Sequence, residues 1–217
     1  MSDQTLRTHA MTQRLLALLA LRPRLQRRKV AAALWPEVSE ERAAGNLRTL
    51  LWRLQSLRSE LLCLDDQTIG LSDNVCVDVH ELEHLQSRLI SSPASAPPLA
   101  RLAELLGREL LPGWSEDWVI FERERLRQRD LHLWERLADW QLHHDQCWDA
   151  LEMALSIVER EPLRESAHRL VIKVHLQEGN ASEAMRAYAQ YCAMAQRELG
   201  IGPSSELRAL RAQMAVL

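Results

Sequence analysis

The chain has 217 residues, 47% of them hydrophobic and 26% charged, with a formal net charge of -3. That composition is too apolar for a disordered chain and long enough for one large or two modest cores. The charge is uneven: residues 1–80 hold eleven Lys/Arg against nine Asp/Glu, and residues 81–217 hold sixteen against twenty-one. The front half therefore tolerates a polyanion and the back half does not invite one.

Residues 1–9 are polar. Met11 to Leu21, MTQRLLALLAL, consists of strong helix formers and stops ahead of Pro23, whose ring disfavours helix in the preceding residue. Its apolar run is far too short to span a bilayer, and Arg22, Arg24, Arg27, Arg28 and Lys29 stand where a signal-peptide cleavage site would lie, so it reads as a core helix. A second helix is predicted from Arg27 to Leu34, ending at Trp35-Pro36. Ser39 then caps an amphipathic helix reaching Arg58, with Leu47, Leu50, Leu51, Leu54 and Leu57 at helical spacing. Three short helices of which the last is longest make the helix-turn-helix plan.

The period changes after that helix. Leu61, Leu62 and Leu64 read as a strand, Asp65-Asp66-Gln67 as a polar turn and Ile69-Gly70-Leu71 as a return strand. Val75, Val77 and Val79 alternate further on. A small sheet directly after the third helix is what makes a helix-turn-helix a winged one. A helix from Asp78 or His80 to Ile90 leads to the flexible stretch Ser91-Ser92-Pro93-Ala94-Ser95-Ala96-Pro97-Pro98. Beyond it everything reads helical: Leu99 to Leu106, a turn at Pro112-Gly113, and a long helix from Ser115 or Asp117 to about His143.

A 34-residue period organises the back half. Trp134, Leu137, Ala138, Ala150, Ala154 and Pro162 fall at positions 4, 7, 8, 20, 24 and 32 of a unit that starts at Leu131. This is the large-small-small-proline pattern of a tetratricopeptide repeat. Shifted by one period, Ala150 lands on Ala184, Ala154 on Tyr188 and Asp145-Gln146 on Gly179-Asn180. The units are 131–164 and 165–198, with the preceding long helix and Pro203 to Met214 as caps. Trp114, Trp118, Trp134, Trp140 and Trp148 are expected to be core or inter-helix residues.

On the helix after Ser39, Arg42, Asn46, Thr49 and Arg53 lie three or four apart on one face, away from the leucine stripe. Arg can grip guanine and Asn adenine bidentately in the major groove, and Thr can meet a thymine methyl. These four are the candidate base readers. Arg27, Arg28, Lys29, Arg48 and Arg58 are candidate phosphate contacts, which set register without reading sequence. Trp52 either packs under the wing or stands on the groove side. Gly45 inside the helix suggests a close approach to a second helix or to a phosphate backbone.

Catalytic chemistry is not indicated. No Walker, Rossmann, HExxH or G-x-S-x-G pattern occurs. Cys63, Cys76, Cys147 and Cys192 are scattered without zinc-ligand spacing and read as buried thiols in a reducing cytosol. His143-His144 with Asp145 and Cys147 falls at a turn between helices, where adjacent side chains diverge, so no metal site is expected. No cofactor and no membrane span are expected.

The ordered blocks RLLALLALRP (14–23), KVAAALWPEVSEERAAGNLRTLLWRLQSLR (29–58), VDVHELEHL (77–85), GRELLPGWSEDWVIFERERLR (107–127) and EREPLRESAHRLVIKVHLQEGNASEAMRAYAQYCAMAQRELGIGPSSELRAL (159–210) resemble the bacterial transcriptional activator domain family, including proteins of the Streptomyces antibiotic regulatory type. The resemblance spans roughly residues 14–210. It implies a mainly α chain: an OmpR-like winged helix-turn-helix at 11–90, then an all-α tetratricopeptide-like domain at 99–217. It further implies promoter binding to double-stranded DNA as a homodimer or on tandem sites, contact with RNA polymerase, and no enzymatic activity. Two departures stand out. Polar residues replace the small sheet that usually precedes the first helix, and the wing tip Asp65-Asp66-Gln67-Thr68 is acidic where such wings commonly offer a basic residue. These departures favour the competing reading of a protein-interaction adaptor with a non-DNA-binding winged helix. On either reading Arg136, Trp140, Arg169, Lys173 and His175, on the first helices of the repeat units, are the candidate partner surface.

Overall fold

The computed structural model describes residues 8–55, 58–91 and 108–214, with side chains throughout except at 58–59 and 89–91. The expected helix at Leu99–Leu106, most of the 91–98 linker, Leu57 and the Arg58 side chain lie outside the described residues. The chain divides into two units, Met1–Glu122 and Arg123–Leu217.

The first unit opens with α1 (Ala10–Leu21), β1 (Arg24–Gln26), α2 (Arg27–Leu34) and α3 (Glu40–Arg53). Next come α4 (Arg58–Leu61), the hairpin β2 (Leu62–Leu64) and β3 (Thr68–Leu71), and α5 (Asp78–Ser91). As expected, Ser39 caps α3, its hydroxyl accepting a hydrogen bond from the Arg42 amide at 3.4 Å. The helix stops at Arg53 rather than Arg58. Leu54 leaves helical geometry to turn into the core, and the Gln55 amide closes the end on the Trp52 carbonyl.

A three-stranded antiparallel sheet, ordered β1-β3-β2, holds the wing. The outer strand β1 was not expected from the sequence. It pairs Arg24 with Gly70 and Gln26 with Thr68. Gly70 lets the strands meet, since a Cβ there would lie 2.5 Å from the Pro23 carbonyl oxygen. The Val75, Val77, Val79 alternation is no strand. Residues 75–77 are irregular, and the Asp78 carboxylate accepts from the Val79 amide at 2.8 Å as α5 begins.

The core of this unit gathers Leu15, Leu18 and Leu19 of α1, Val30 and Leu34 of α2, Leu47, Leu50 and Leu51 of α3, and Ile69 of β3. Trp118 and Val119 complete it, with Trp114 packed edge-on against Trp118 at 6.3 Å. Trp114 precedes α6 (Asp117–His143), and Trp118 and Val119 lie in its first turn.

In the second unit the remainder of α6 is followed by α7 (Cys147–Arg160), α8 (Glu165–Gln177), α9 (Ala181–Leu199) and α10 (Ser205–Met214). The repeat is visible in the backbone. Asp145 and Gly179, one period apart, both take left-handed conformations, with φ of 58° and 73°, and end the first helix of each unit. The small residues pack as the period requires: Ala138 and Ala154 with Leu170 and Val171, and Ala184 with Ile172, Tyr188 and Leu207. Trp134 is half-buried and covered by the Arg160 guanidinium. Trp148 departs from expectation: it is 70% exposed, because its position on α7 faces away from both neighbouring helices of the stack. The cysteines, expected to be buried, are not: Cys63 and Cys76 are exposed, and Cys147 and Cys192 are half-buried.

A polar network centred on Glu135 and Glu165 braces the repeat. Arg164 donates to both Glu135 oxygens at 2.6 and 3.0 Å, and Ser166 also bonds to that carboxylate. Burial pushes the Glu135 carboxyl up, but the bonds from Arg164 and Ser166 outweigh it and hold it below the usual range. Glu165 receives the Ser204 amide and hydroxyl, which fixes the start of α10.

Candidate nucleic-acid interface

The leucines of α3 lock one side of the helix into the core, which leaves the flanks and the far side facing outward. Arg42, Thr49 and Arg53 are exposed there and Asn46 is half-buried. All four sit within a narrow arc at 3.6 residues per turn. The Thr49 hydroxyl donates to the Gly45 carbonyl at 3.1 Å, which leaves its methyl group as the outward surface. The Arg42 and Arg53 guanidinium groups have no partner among the described residues, so their donors are available to a ligand.

The candidate phosphate contacts divide into two kinds. Arg28, Lys29 and Arg48 are exposed, with no ion partner among the described residues. Arg27 is half-buried and tied to the wing. Its amide donates to the Gln67 carbonyl at 2.8 Å, and Nε and an Nη donate to the Asp65 carbonyl at 3.3 and 3.1 Å. The backbone of Arg58 starts α4.

The acidic wing tip is largely self-satisfied. The Asp65 carboxylate accepts the Thr68 hydroxyl, the Thr68 amide at 2.6 Å and the Gln67 amide at 2.9 Å, with Arg24 4.0 Å away. The Thr68 hydroxyl and these amides pull its pKa down to about 2. Asp65 is thus the internal cap of the wing turn, a role that the Asp-x-x-Thr spacing could have announced. Trp52 is 71% exposed, which removes the alternative of packing under the wing. At Gly45 a Cβ would meet nothing nearer than the Arg48 guanidinium at 3.7 Å, so among the described residues no second helix approaches there.

The repeat surface is more fully paired. Lys173 bonds Asp139 at 3.1 Å, and Arg169 is paired with Glu206. His175 is half-buried with Glu178 3.6 Å away, and Trp140 stacks on His144 at 4.1 Å. Arg136 is exposed without a partner among the described residues. The rings of His143 and His144 each donate Nδ1–H to the carbonyl four residues back, those of Asp139 and Trp140, at 2.6 and 2.8 Å. Among the described residues no group of three or more His, Cys, Asp or Glu is placed to hold a metal ion. None of the described helices is long and apolar enough to cross a membrane.

No curated protein matches the chain in sequence. Among solved structures, Mycobacterium tuberculosis EmbR in complex with a low-affinity phosphopeptide superposes with a TM-score of 0.81 at 17% identity, over 97% of this chain. The chain spans 60% of the length of that protein, and the likeness establishes the shared, mainly α fold. The family model of the bacterial transcriptional activator domain matches residues 77–215, which run from the start of α5 through the whole repeat. With well over half of its length matched, the chain belongs to the bacterial transcriptional activator domain family.

Proposed function

We propose that the chain is a transcriptional regulator that binds promoter duplex through α3 and contacts RNA polymerase or a second copy of itself through the repeat unit. One observation carries the DNA reading. The outward face of the third helix in a helix-turn-helix presents Arg42, Asn46, Thr49 and Arg53, with no carboxylate paired to either arginine among the described residues. Arg28, Lys29 and Arg48 flank that face as unpaired cations suited to phosphate. With Asp65 turned to its own loop, Asp66 is the acid left at the tip to repel a backbone. Membership of an activator family supports regulation as the outcome of binding. The repeat unit offers Arg136 and Trp140 to a partner; Arg169 and Lys173 could serve only by exchanging their present carboxylates.

The test is titration of purified protein into labelled fragments from upstream of its own operon, and into random duplex, at several salt concentrations. Specific binding should be at least tenfold tighter than non-specific binding and should weaken steeply with salt. Arg53→Ala should relax the preference at one base pair, whereas Arg28→Ala should weaken all sequences alike. Equal binding of specific and random duplex at every salt would refute sequence reading and favour the adaptor. Sedimentation with and without DNA, and capture of purified RNA polymerase, test the partner assignments.

A further inference from the structure

Beside the reading face, a small open cleft between α3 and the start of α2 is lined by Arg27, Arg48, Leu51, Trp52 and Gln55, with a volume of about 280 Å³. We propose that this cleft seats one phosphodiester of the DNA backbone, with the two guanidinium groups on the phosphate and the Trp52 indole against the adjoining deoxyribose. The proposal rests on the DNA-binding reading above and adds to it a site and a role for Trp52.

Three features of the cleft point to this occupant. First, its lining holds two arginines and no carboxylate, so it complements an anion. Second, the arginines are prepared differently. Arg27 is anchored through Nε and an Nη to the Asp65 carbonyl, which fixes its plane and leaves the other Nη free to donate. Arg48 has no partner among the described residues and can close on a ligand from the helix side. One preorganised fork and one unpaired fork can hold two oxygens of a single phosphate.

Third, Trp52 is 71% exposed, so most of its indole gains nothing from burial in the fold. An aromatic face with the polar end of Gln55 beside it suits a sugar, which offers C–H groups on one side and oxygens at its edge. Location selects backbone over base. Arg48 and Trp52 lie roughly a quarter turn or more around α3 from Arg42, Asn46 and Arg53. When the latter face enters a major groove, the former runs beside the flanking strand.

The experiment uses the full chain and a duplex of its preferred sequence, made as a set in which each phosphate in turn is replaced by a neutral methylphosphonate. For the wild type we expect a position where neutralisation weakens binding about tenfold. Arg48→Gln should weaken the unmodified duplex to a similar degree, lower the salt slope by about one, and abolish the penalty at that position. Trp52→Ala should weaken all sequences alike by several-fold without changing base preference, and Trp52→Phe should recover part of the loss. Thermal melts accompany each variant, and since both side chains are exposed the melting temperatures should hold. Binding by Trp52→Ala and Arg48→Gln within twofold of wild type would overturn the site while leaving DNA recognition by α3 intact. So would a changed base preference in Trp52→Ala, which would make Trp52 a base reader instead. A wild-type chain that binds no duplex would overturn both readings together.

Discussion

Gly45→Ala separates what the fold requires of α3 from what a ligand requires. Glycine in a helix interior costs about 1 kcal/mol relative to alanine, because it loses more backbone freedom on folding. That gain is cancelled only if the new methyl group clashes. The nearest atom to a Cβ at Gly45 is the end of the Arg48 side chain, 3.7 Å away, which is ordinary contact with an exposed and adjustable group. The helix is regular at this point and Gly45 is not among the left-handed glycines. The substitution should therefore stabilise the chain by about 1 kcal/mol, or raise its melting temperature by about 2–4 °C at this size. Differential scanning calorimetry of the two proteins in one buffer reads this directly. An unchanged or lower melting temperature would refute the reasoning, because it would mean that the fold needs the glycine. Affinity for duplex is the second readout. Among the described residues no other element approaches Gly45; if the proposed DNA backbone approaches it instead, the same variant should bind DNA more weakly. Equal affinity would show that the glycine serves neither purpose.

Gly70→Ala should act in the opposite direction, destabilising the chain by roughly 1–3 kcal/mol, because its Cβ would meet the Pro23 carbonyl at 2.5 Å and force β1 and β3 apart; urea unfolding measures it, and a neutral result would deny the close approach. Arg164→Ala should cost about 3 kcal/mol in thermal unfolding, since Glu135 would stay partly buried without its bidentate partner; a cost below about 0.5 kcal/mol would mean that the pair is a surface one. Burial pushes the His168 imidazole below its ordinary 6.5, although its Nε2 donates to the Pro162 carbonyl at 2.8 Å. The unfolded chain then takes up the proton first, so stability is complete above about 6.5 and falls as pH drops toward the folded pKa. Melting curves between pH 7.5 and 5 should show this slope reduced in His168→Gln, and an identical slope in the two proteins would refute the assignment.

The parts of the structure that a sequence declares are those in which local pattern and tertiary partner agree. The repeat is one. A period of 34 marks Ala138 and Ala154 as packing positions, and they share one core cluster, whereas Lys173, expected on the open partner face, pairs instead with Asp139 one period back. The left-handed residue that ends the first helix falls on Asp145 in one unit and Gly179 in the next. By contrast β1 has three residues and one half-buried side chain, and nothing in Arg24-Leu25-Gln26 distinguishes it from a loop. It is a strand because β3 offers its edge and Gly70 removes the obstruction. The valine alternation after β3 misleads for the complementary reason: it has the strand period, and Asp78 starts a helix instead. Trp148 shows a third limit, since a periodic position names the helix face without saying whether another element covers it.

The candidate interface turns on the same distinction, applied to charge. A front half at +2 looks weak for a protein that meets a polyanion, and a back half at -5 looks merely acidic. What decides the matter is which cations are already neutralised. Arg127, Arg164, Arg169 and Lys173 of the repeat each face a carboxylate of their own unit, and Arg14, Arg22 and Arg24 of the front unit do likewise. Arg28, Lys29, Arg42, Arg48 and Arg53 are unpaired among the described residues and are carried by α2 and α3, where Glu40 and Glu41 line a pocket with Arg28 and Arg48. Leaving five cations unpaired on two packed helices gives up the modest stabilisation that surface ion pairs could supply and adds mutual repulsion. A ligand carrying regularly spaced negative charge removes that repulsion and displaces counterions as it binds, so the sign of the site follows from the pairing pattern where the net charge is almost silent.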